Sequence, residues 1–322
     1  MKKVLFFSGL RQDVVTIFGE MMPEGFELAW HSHSISNLEK VRLIREAEFL
    51  VLHPGELADS VLQEAKSLHL IQLLTAGYDK INLKLAGELG IPVATNGGAN
   101  AWAVAEHTVA LLLTLYRRLI ACDQSVREGK WRQAVTGFDT FEVAGKTVGL
   151  LGAGNIGRKV AWRLKSFETN IIYYDTNSSP ELEAELGAKR VSLDELVKEA
   201  DIITIHLPLL RETRSLLGER EFLMMKKNAV ILNPSRGEIV DEDALIAALK
   251  EKRIAGAGLD VFHQEPIAVS NPLLALDNVV LSPHVAGHAY EGWFRRSRFA
   301  WENIQRVAVG EKPISVARLN EE

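Results

Sequence analysis

The segment KTVGLLGAGNIGRKVAWRLKSFETNIIYYD, residues 146–175, packs a strand, a glycine turn, a helix and a second strand into one short span. The apolar run KTVGLL (146–151) leads directly into GAGNIG, Gly152 to Gly157. A helical pattern opens at Asn155 and runs to about Phe167, and the run NIIYYD (170–175) ends in an acid, Asp175. Alone, a G-x-G-x-x-G run arises by chance. Behind a strand, at a helix start, and with a carboxylate about 20 residues on, it is a dinucleotide-binding fingerprint. Gly152 permits the tight turn, Gly154 lets backbone approach a pyrophosphate, and Gly157 lets helix and strand pack closely. The N–H groups around Asn155 and Ile156 have no helical partner and are free to face phosphate. A carboxylate at Asp175 accepts hydrogen bonds from both ribose hydroxyls and repels a 2′-phosphate. The residues that follow, Thr176-Asn177-Ser178, offer no Arg or Lys to offset that repulsion. NAD is therefore expected over NADP. The plainer reading, a glycine turn that binds nothing with Asp175 capping a loop, leaves the coincidence of strand, helix and acid unexplained.

Working outward, short apolar runs alternate with helical patterns on both sides of this segment. Before it lie VLFF (4–7), FELAW (26–30), FLVL (49–52), IQLL (71–74) and PVAT (92–95), with helical stretches at 37–45 and 58–66. After it come DIITIHLP (201–208), AVILN (229–233), IAGAGLD (254–260) and NVVLS (278–282). Strands buried on both faces and alternating with helices give parallel sheets. TNGGANA (95–101) reads as a linker, Trp102 to about Ile120 as one long helix, REGKW (127–131) as a loop, and Tyr290–Val309 as an amphipathic tail helix. No internal repeat or low-complexity segment is visible.

The 322 residues suffice for about two domains, at roughly 100–200 residues each. A content of 47% hydrophobic and 25% charged residues is that of a globular chain, which excludes a disordered or collagen-like one. Lys plus Arg number 37 against 42 Asp plus Glu, a net charge of −5, without the basic excess of a nucleic-acid binder. One cysteine, Cys122, forms no internal disulfide and is too few for a cysteine-built metal centre, so no metal is expected. Met1-Lys2-Lys3 followed by VLFFSGL loosely imitates a secretory signal, but it meets Arg11-Gln12-Asp13 at once, with no small-residue cleavage site. The most apolar helix candidate, 103–119, contains Glu106, His107, Arg117 and Arg118 and is no membrane span. A cytoplasmic location without membrane contact is the expectation.

Ligands of open α/β sheets sit just beyond the carboxyl ends of the strands. Four polar groups fall there: Arg236 in Pro234-Ser235-Arg236-Gly237, Asp260 at the end of GLD, Glu265 in VFHQEP, and His284 in Ser282-Pro283-His284. Imidazole titrates near neutrality and suits general acid–base work. The planar fork of an Arg matches a carboxylate in a way Lys does not. Of the nine histidines, His31, His33, His53, His69, His107 and His263 read as structural, and His206 as a wall of the cofactor pocket.

The motifs VAEH (104–107), REGKW (127–131), GKTVGLLGAGNIG (145–157), HLP (206–208), NPSRGEIVD (233–241), GLDVF (258–262), EP (265–266) and PHVAG (283–287) follow in an order and spacing that resemble the D-isomer-specific 2-hydroxyacid dehydrogenase family over essentially the whole chain. The resemblance implies two doubly wound parallel-sheet α/β domains, with a Rossmann NAD-binding domain (99–287) inserted into a flavodoxin-like substrate domain (1–98 and 288–322). It implies hydride transfer between NAD(H) and a small 2-hydroxy or 2-oxo acid. His284 would be the acid/base and Glu265 its orienting partner. Arg236 would hold the substrate carboxylate and polarise the C2 oxygen. The N–H groups of Ala76 and Gly77 would help bind that carboxylate. Asp260 would anchor the nicotinamide carboxamide, and His206, Pro208 and Gly287 fall on the cofactor side. A homodimer formed through the NAD-binding domain is implied as well.

Departures from relatives narrow the substrate. Phosphite-oxidising relatives carry Lys where this chain has Ala76, and formate-oxidising ones carry Gln in place of Glu265. Phosphoglycerate-specific relatives commonly place an Arg after the third strand, where this chain has Leu52-His53-Pro54-Gly55, and often add a regulatory domain, which is not expected here. Glyoxylate, hydroxypyruvate, D-lactate or a longer 2-oxo acid remain, with Phe6, Phe7, His53 and Trp102 as candidate pocket walls and an altered segment at Asn100-Ala101-Trp102. The alternative is an NAD(H)-sensing corepressor-like protein on the same fold.

Overall fold

The computed structural model describes residues 1–137 and 139–317. They form two compact units, Met1–Asn100 together with the chain from His288 on, and Ala101–Gly287.

In the first unit, strands β1 (Lys2–Ser8), β2 (Phe26–Ser32), β3 (Phe49–His53), β4 (Leu70–Leu73) and β5 (Val93–Ala94) form a parallel sheet in the order β2-β1-β3-β4-β5. This is the flavodoxin-like doubly wound order. The inner strands are buried on both faces, which is why they read as unbroken apolar runs. Phe6 and Phe7 lie in the cores on opposite faces of this sheet, so neither is a pocket wall as the sequence had suggested. The tail helix Tyr290–Ala308 returns to this unit. Its Trp301 stacks on Phe18 at 4.7 Å and donates from Nε1 to the Phe18 carbonyl, and buried Asn303 donates to Gln72.

The second unit is a seven-stranded parallel sheet built from β6 (Thr147–Leu151), β7 (Asn170–Tyr174), β8 (Lys189–Arg190), β9 (Ile202–Ile205), β10 (Val230–Asn233), β11 (Gly256–Leu259) and β12 (Val279–Leu281). The spatial order is β12-β11-β10-β9-β6-β7-β8, the Rossmann arrangement extended by one strand. The order reverses between β6 and β9, so a crevice opens at their carboxyl ends, where GAGNIG and His206 lie. The long helix expected over Trp102–Ile120 is two helices. The first, Ala101–Tyr116, stops before Arg118, which takes a left-handed backbone (φ 48°), and a second, Leu119–Arg127, starts there. Apolar spacing continues through the break, so periodicity alone runs the two together. Among the described residues no helix is long and apolar enough to cross a membrane.

Candidate active site

The glycine loop joins β6 to the helix Asn155–Lys165. Gly152 has φ +98°, and a Cβ there would come within 2.8 Å of the His206 carbonyl group. Around Gly154 a Cβ would meet no protein atom within 4 Å. The protein itself therefore leaves that backbone open, as a closely approaching phosphate requires. No side chain caps the helix start, so the N–H groups of Asn155, Ile156 and Gly157 face outward from a helix N-terminus. Asp175 follows β7; its Oδ2 accepts from Ala153 N–H at 2.8 Å, and its Oδ1 from Asn177 N–H at 3.0 Å and Thr176 Oγ1 at 3.3 Å. Oδ2 keeps a lone pair for a ribose hydroxyl. These residues fit a dinucleotide.

The sequence had shown no cation near Asp175, but β8 brings one. Arg190, opposite Tyr173, donates to the carbonyls of Asp175 (2.9 Å) and Thr176 (2.8 Å). It clamps the backbone of the acidic turn. Its signal was a basic residue in a two-residue exposed strand, too short to read.

His206 follows β9, and its N–H donates to the Leu151 carbonyl at 2.7 Å. Burial pushes its imidazole down to about 3, and its Nε2 pairs with Thr204 Oγ1 at 2.9 Å. Held neutral in this way, it is no proton-donating acid. Pro208, two residues on, uses its carbonyl to accept from Thr213 Oγ1.

The chemistry-bearing groups gather at the ends of β10, β11 and β12. Beyond β10, buried Asn233 accepts from Ser235 N–H and Oγ and donates to the Arg236 carbonyl, fixing the turn that presents Arg236. Beyond β11, the Glu265 carboxylate turns back to accept from Phe262 N–H at 3.1 Å. Beyond β12, His284 sits at φ 54°, a left-handed conformation that costs energy in a non-glycine residue and marks functional loops. Its Nδ1 meets Glu265 Oε2 at 2.6 Å. Burial works against the charged form of Glu265. The hydrogen bond and charge of His284, the Phe262 N–H and the nearby Arg236 outweigh it and hold the carboxyl below its ordinary value.

Asp260 is fully buried and organises the loop that carries His284. Its Oδ1 accepts from Ser282 Oγ (2.6 Å) and Val285 N–H (2.9 Å), its Oδ2 from Ala286 N–H (2.8 Å), and its carbonyl from His284 N–H (2.7 Å). Gly287 closes the same loop. Ser282 and Asn233 are supporting residues that the sequence did not single out, since only contact across the sheet reveals them.

In the first unit, the turn after β4 is shaped by Thr75 Oγ1, which donates to the Gly77 carbonyl at 2.8 Å. Among the described residues no acceptor takes the N–H of Ala76 or Gly77. His53, at the end of β3, packs edge-on against Trp293 at 5.3 Å. Burial first, then the charges of Arg296 and His288, push its imidazole down to about 3.

A Rossmann sheet that fits NAD, with an Arg and a hydrogen-bonded Glu–His pair on neighbouring strand ends, defines an NAD-linked oxidoreductase. Residues 109–286 match the family model of the NAD binding domain of D-isomer specific 2-hydroxyacid dehydrogenases. A glyoxylate reductase of Aeropyrum pernix is 39% identical over 94% of this chain and 95% of its own. A D-3-phosphoglycerate dehydrogenase of Archaeoglobus fulgidus is 38% identical over 86% of this chain, which spans 52% of that relative's length. The crystal structure of a glyoxylate reductase from Paecilomyes thermophila superposes with a TM-score of 0.86 at 28% identity, covering 98% of both chains. The chain belongs to the D-isomer-specific 2-hydroxyacid dehydrogenase family and is an NAD-dependent dehydrogenase of that class.

Proposed function

We propose that the enzyme works chiefly as a reductase of a small 2-oxo acid, glyoxylate or hydroxypyruvate foremost, with His284 as the acid. The observation that carries this is the 2.6 Å pairing of His284 Nδ1 with Glu265. With Nδ1 committed to the carboxylate, only Nε2 is left to meet a substrate and to pass a proton to a carbonyl oxygen. NADH, when bound, supplies the hydride for C2. His284 Nε2 gives a proton to the C2 oxygen, and the hydroxy acid results. Arg236 offers the fixed positive charge that draws electron density onto that oxygen and pairs with a carboxylate. Asp260 is proposed to stand at the nicotinamide end of the cofactor. Ala76 and Gly77 are proposed as N–H donors to an anion. The preference for a small acid is supported by the name of the 39%-identical relative.

The test is NADH oxidation against glyoxylate, hydroxypyruvate, pyruvate and longer 2-oxo acids, with NADPH alongside. Turnover with a short acid and NADH is expected, and NADPH should be the poorer donor because of Asp175. NADH binding without turnover of any acid would overturn the reading in favour of an NAD(H)-sensing protein.

Changing Glu265 to Gln keeps the shape and removes the charge. The His284 ring then loses the charged partner on its Nδ1, and the rate of reduction should fall by about 10-fold or more. In the parent, Glu265 is held below the ordinary carboxylate range, so its ionisation should leave no limb in the profile above about pH 5. A variant that reduces the acid as fast as the parent would sink the Glu265–His284 pairing.

A homodimer formed through the NAD-binding unit is also proposed. Leu119, Ile120, Val126 and Trp131 are all more than half exposed along the Leu119–Arg127 helix and the turn after it, an apolar surface that a second copy would cover. With a single cysteine, a reducing cytoplasmic setting fits.

A further inference from the structure

His107 lies in the helix Ala101–Tyr116, far in sequence from every group assigned a role above, and by its sequence setting it reads as structural. In the folded unit its Nε2 is 2.9 Å from Ser282 Oγ and 3.6 Å from Asp260 Oδ1. Hydrogen-bond chemistry sets the direction of this chain. A carboxylate only accepts, so the single proton of Ser282 Oγ goes to Asp260 across the 2.6 Å contact. Ser282 then has only lone pairs to offer His107. Nε2 of His107 must therefore be the donor.

The same Asp260 Oδ1 takes Val285 N–H, and Oδ2 takes Ala286 N–H. Three donors from residues 282–286 thus converge on one buried carboxylate, with His284 between them in its left-handed conformation. Ser282 is one of those donors, and nothing else among the described side chains holds its hydroxyl. If the hydroxyl turned away, Asp260 would lose its shortest bond and the loop its attachment ahead of His284.

We infer that His107 is a positioning residue of this enzyme. By donating from Nε2 to Ser282 it orients the hydroxyl toward Asp260, and through Asp260 it holds the 282–286 loop that sets the His284 ring. It touches neither substrate nor cofactor in this role. The inference rests on the reading of His284 as the acid.

Two substitutions separate donor from shape. His107→Phe keeps a flat ring and loses the donor, while His107→Gln loses the ring and keeps an N–H at similar reach. Misplacement of a reacting group by a fraction of an ångström to 1 Å costs up to about 100-fold. The expected result is therefore a fall in kcat of about 10–100-fold for Phe, with NADH affinity within about threefold of the parent. His107→Gln should recover most of that loss. Ser282→Ala should resemble His107→Phe, and the double variant should be no worse than either alone, as members of one chain behave. Full activity in His107→Phe, Gln no better than Phe, or additive losses with Ser282→Ala would each overturn the proposal.

Nitrogen-15 spectra of histidine-labelled parent protein give a readout apart from turnover. The signal that disappears in His107→Phe should carry its proton on Nε2. A proton on Nδ1 instead would defeat the positioning role even in a fully active enzyme. The expected tautomer in a protein that reduces no 2-oxo acid would instead defeat the catalytic reading.

Discussion

Replacing His284 by Ala should reduce turnover by about 100- to 10,000-fold, the range that a positioned general acid contributes, while NADH affinity stays close to the parent's. The separation follows from where the groups lie in the sheet. Phosphate and ribose are expected at the ends of β6 and β7, at Gly154 and Asp175, whereas His284 stands beyond β12, at the far edge of the seven strands. A shortened side chain there leaves the glycine loop untouched. The loop itself should keep its course, because the bonds that hold it run from the backbone of His284, Val285 and Ala286 to Asp260, and alanine retains all of them. What is lost is the proton donor and the partner of Glu265. Glu265 then keeps only Phe262 N–H and the charge of Arg236 against its burial, so its carboxyl should rise toward and past its ordinary value. A small loss of thermal stability should follow above that value, where the parent gains from the pairing, and should vanish below the parent's depressed value, where the pairing is gone in both proteins. Stopped-flow NADH binding and steady-state reduction of a responsive 2-oxo acid check the kinetic part. A loss of NADH affinity as large as the loss of turnover would show that His284 belongs to the cofactor site and not to the proton transfer.

The parts legible in the sequence are those whose cause is local. β3, β4 and β9 are buried on both faces, so each reads as an unbroken apolar run, and GAGNIG is recognisable because its three glycines fall at a fixed spacing within six residues of chain. Arg236, Glu265 and His284 were found because a parallel sheet brings every strand's carboxyl end to one side, whatever the length of chain between them. Their identities as a set came from motif order, since no periodicity pairs residues 265 and 284. Where the reading failed, the cause is tertiary. Arg118 breaks a helix with a left-handed residue that is not glycine, so composition gives no warning. Arg190 and His107 act on segments 15 and 175 residues away, at Asp175 and Ser282, and only the folded sheet reveals those partners.

The glycine loop supports a second large effect, and its two arms distinguish protein packing from cofactor contact. Gly157→Ala should destabilise the protein and abolish measurable NADH binding. A Cβ at this position overlaps the carbonyl oxygen of Gly152. That oxygen belongs to backbone at φ +98°, so it has no rotamer by which to yield. The helix start must move instead, and it carries the N–H groups of Asn155 and Ile156 with it. Overpacking of this kind costs about 1–3 kcal/mol or more, enough to lower the melting temperature by several degrees without any ligand present. Gly154→Ala is the complementary case. No protein atom lies within 4 Å of its Cβ, and its extended backbone accepts any side chain, so the free protein should melt where the parent does. Its NADH affinity should nonetheless fall by about tenfold or more, because the methyl occupies the space over the loop that a pyrophosphate needs. Differential scanning calorimetry of both variants without cofactor, together with NADH titration by fluorescence, gives the two readouts. Gly157→Ala melting with the parent would show that the turn has slack. Gly154→Ala binding NADH as the parent does would move the phosphates off this loop and overturn the placement of the cofactor on it.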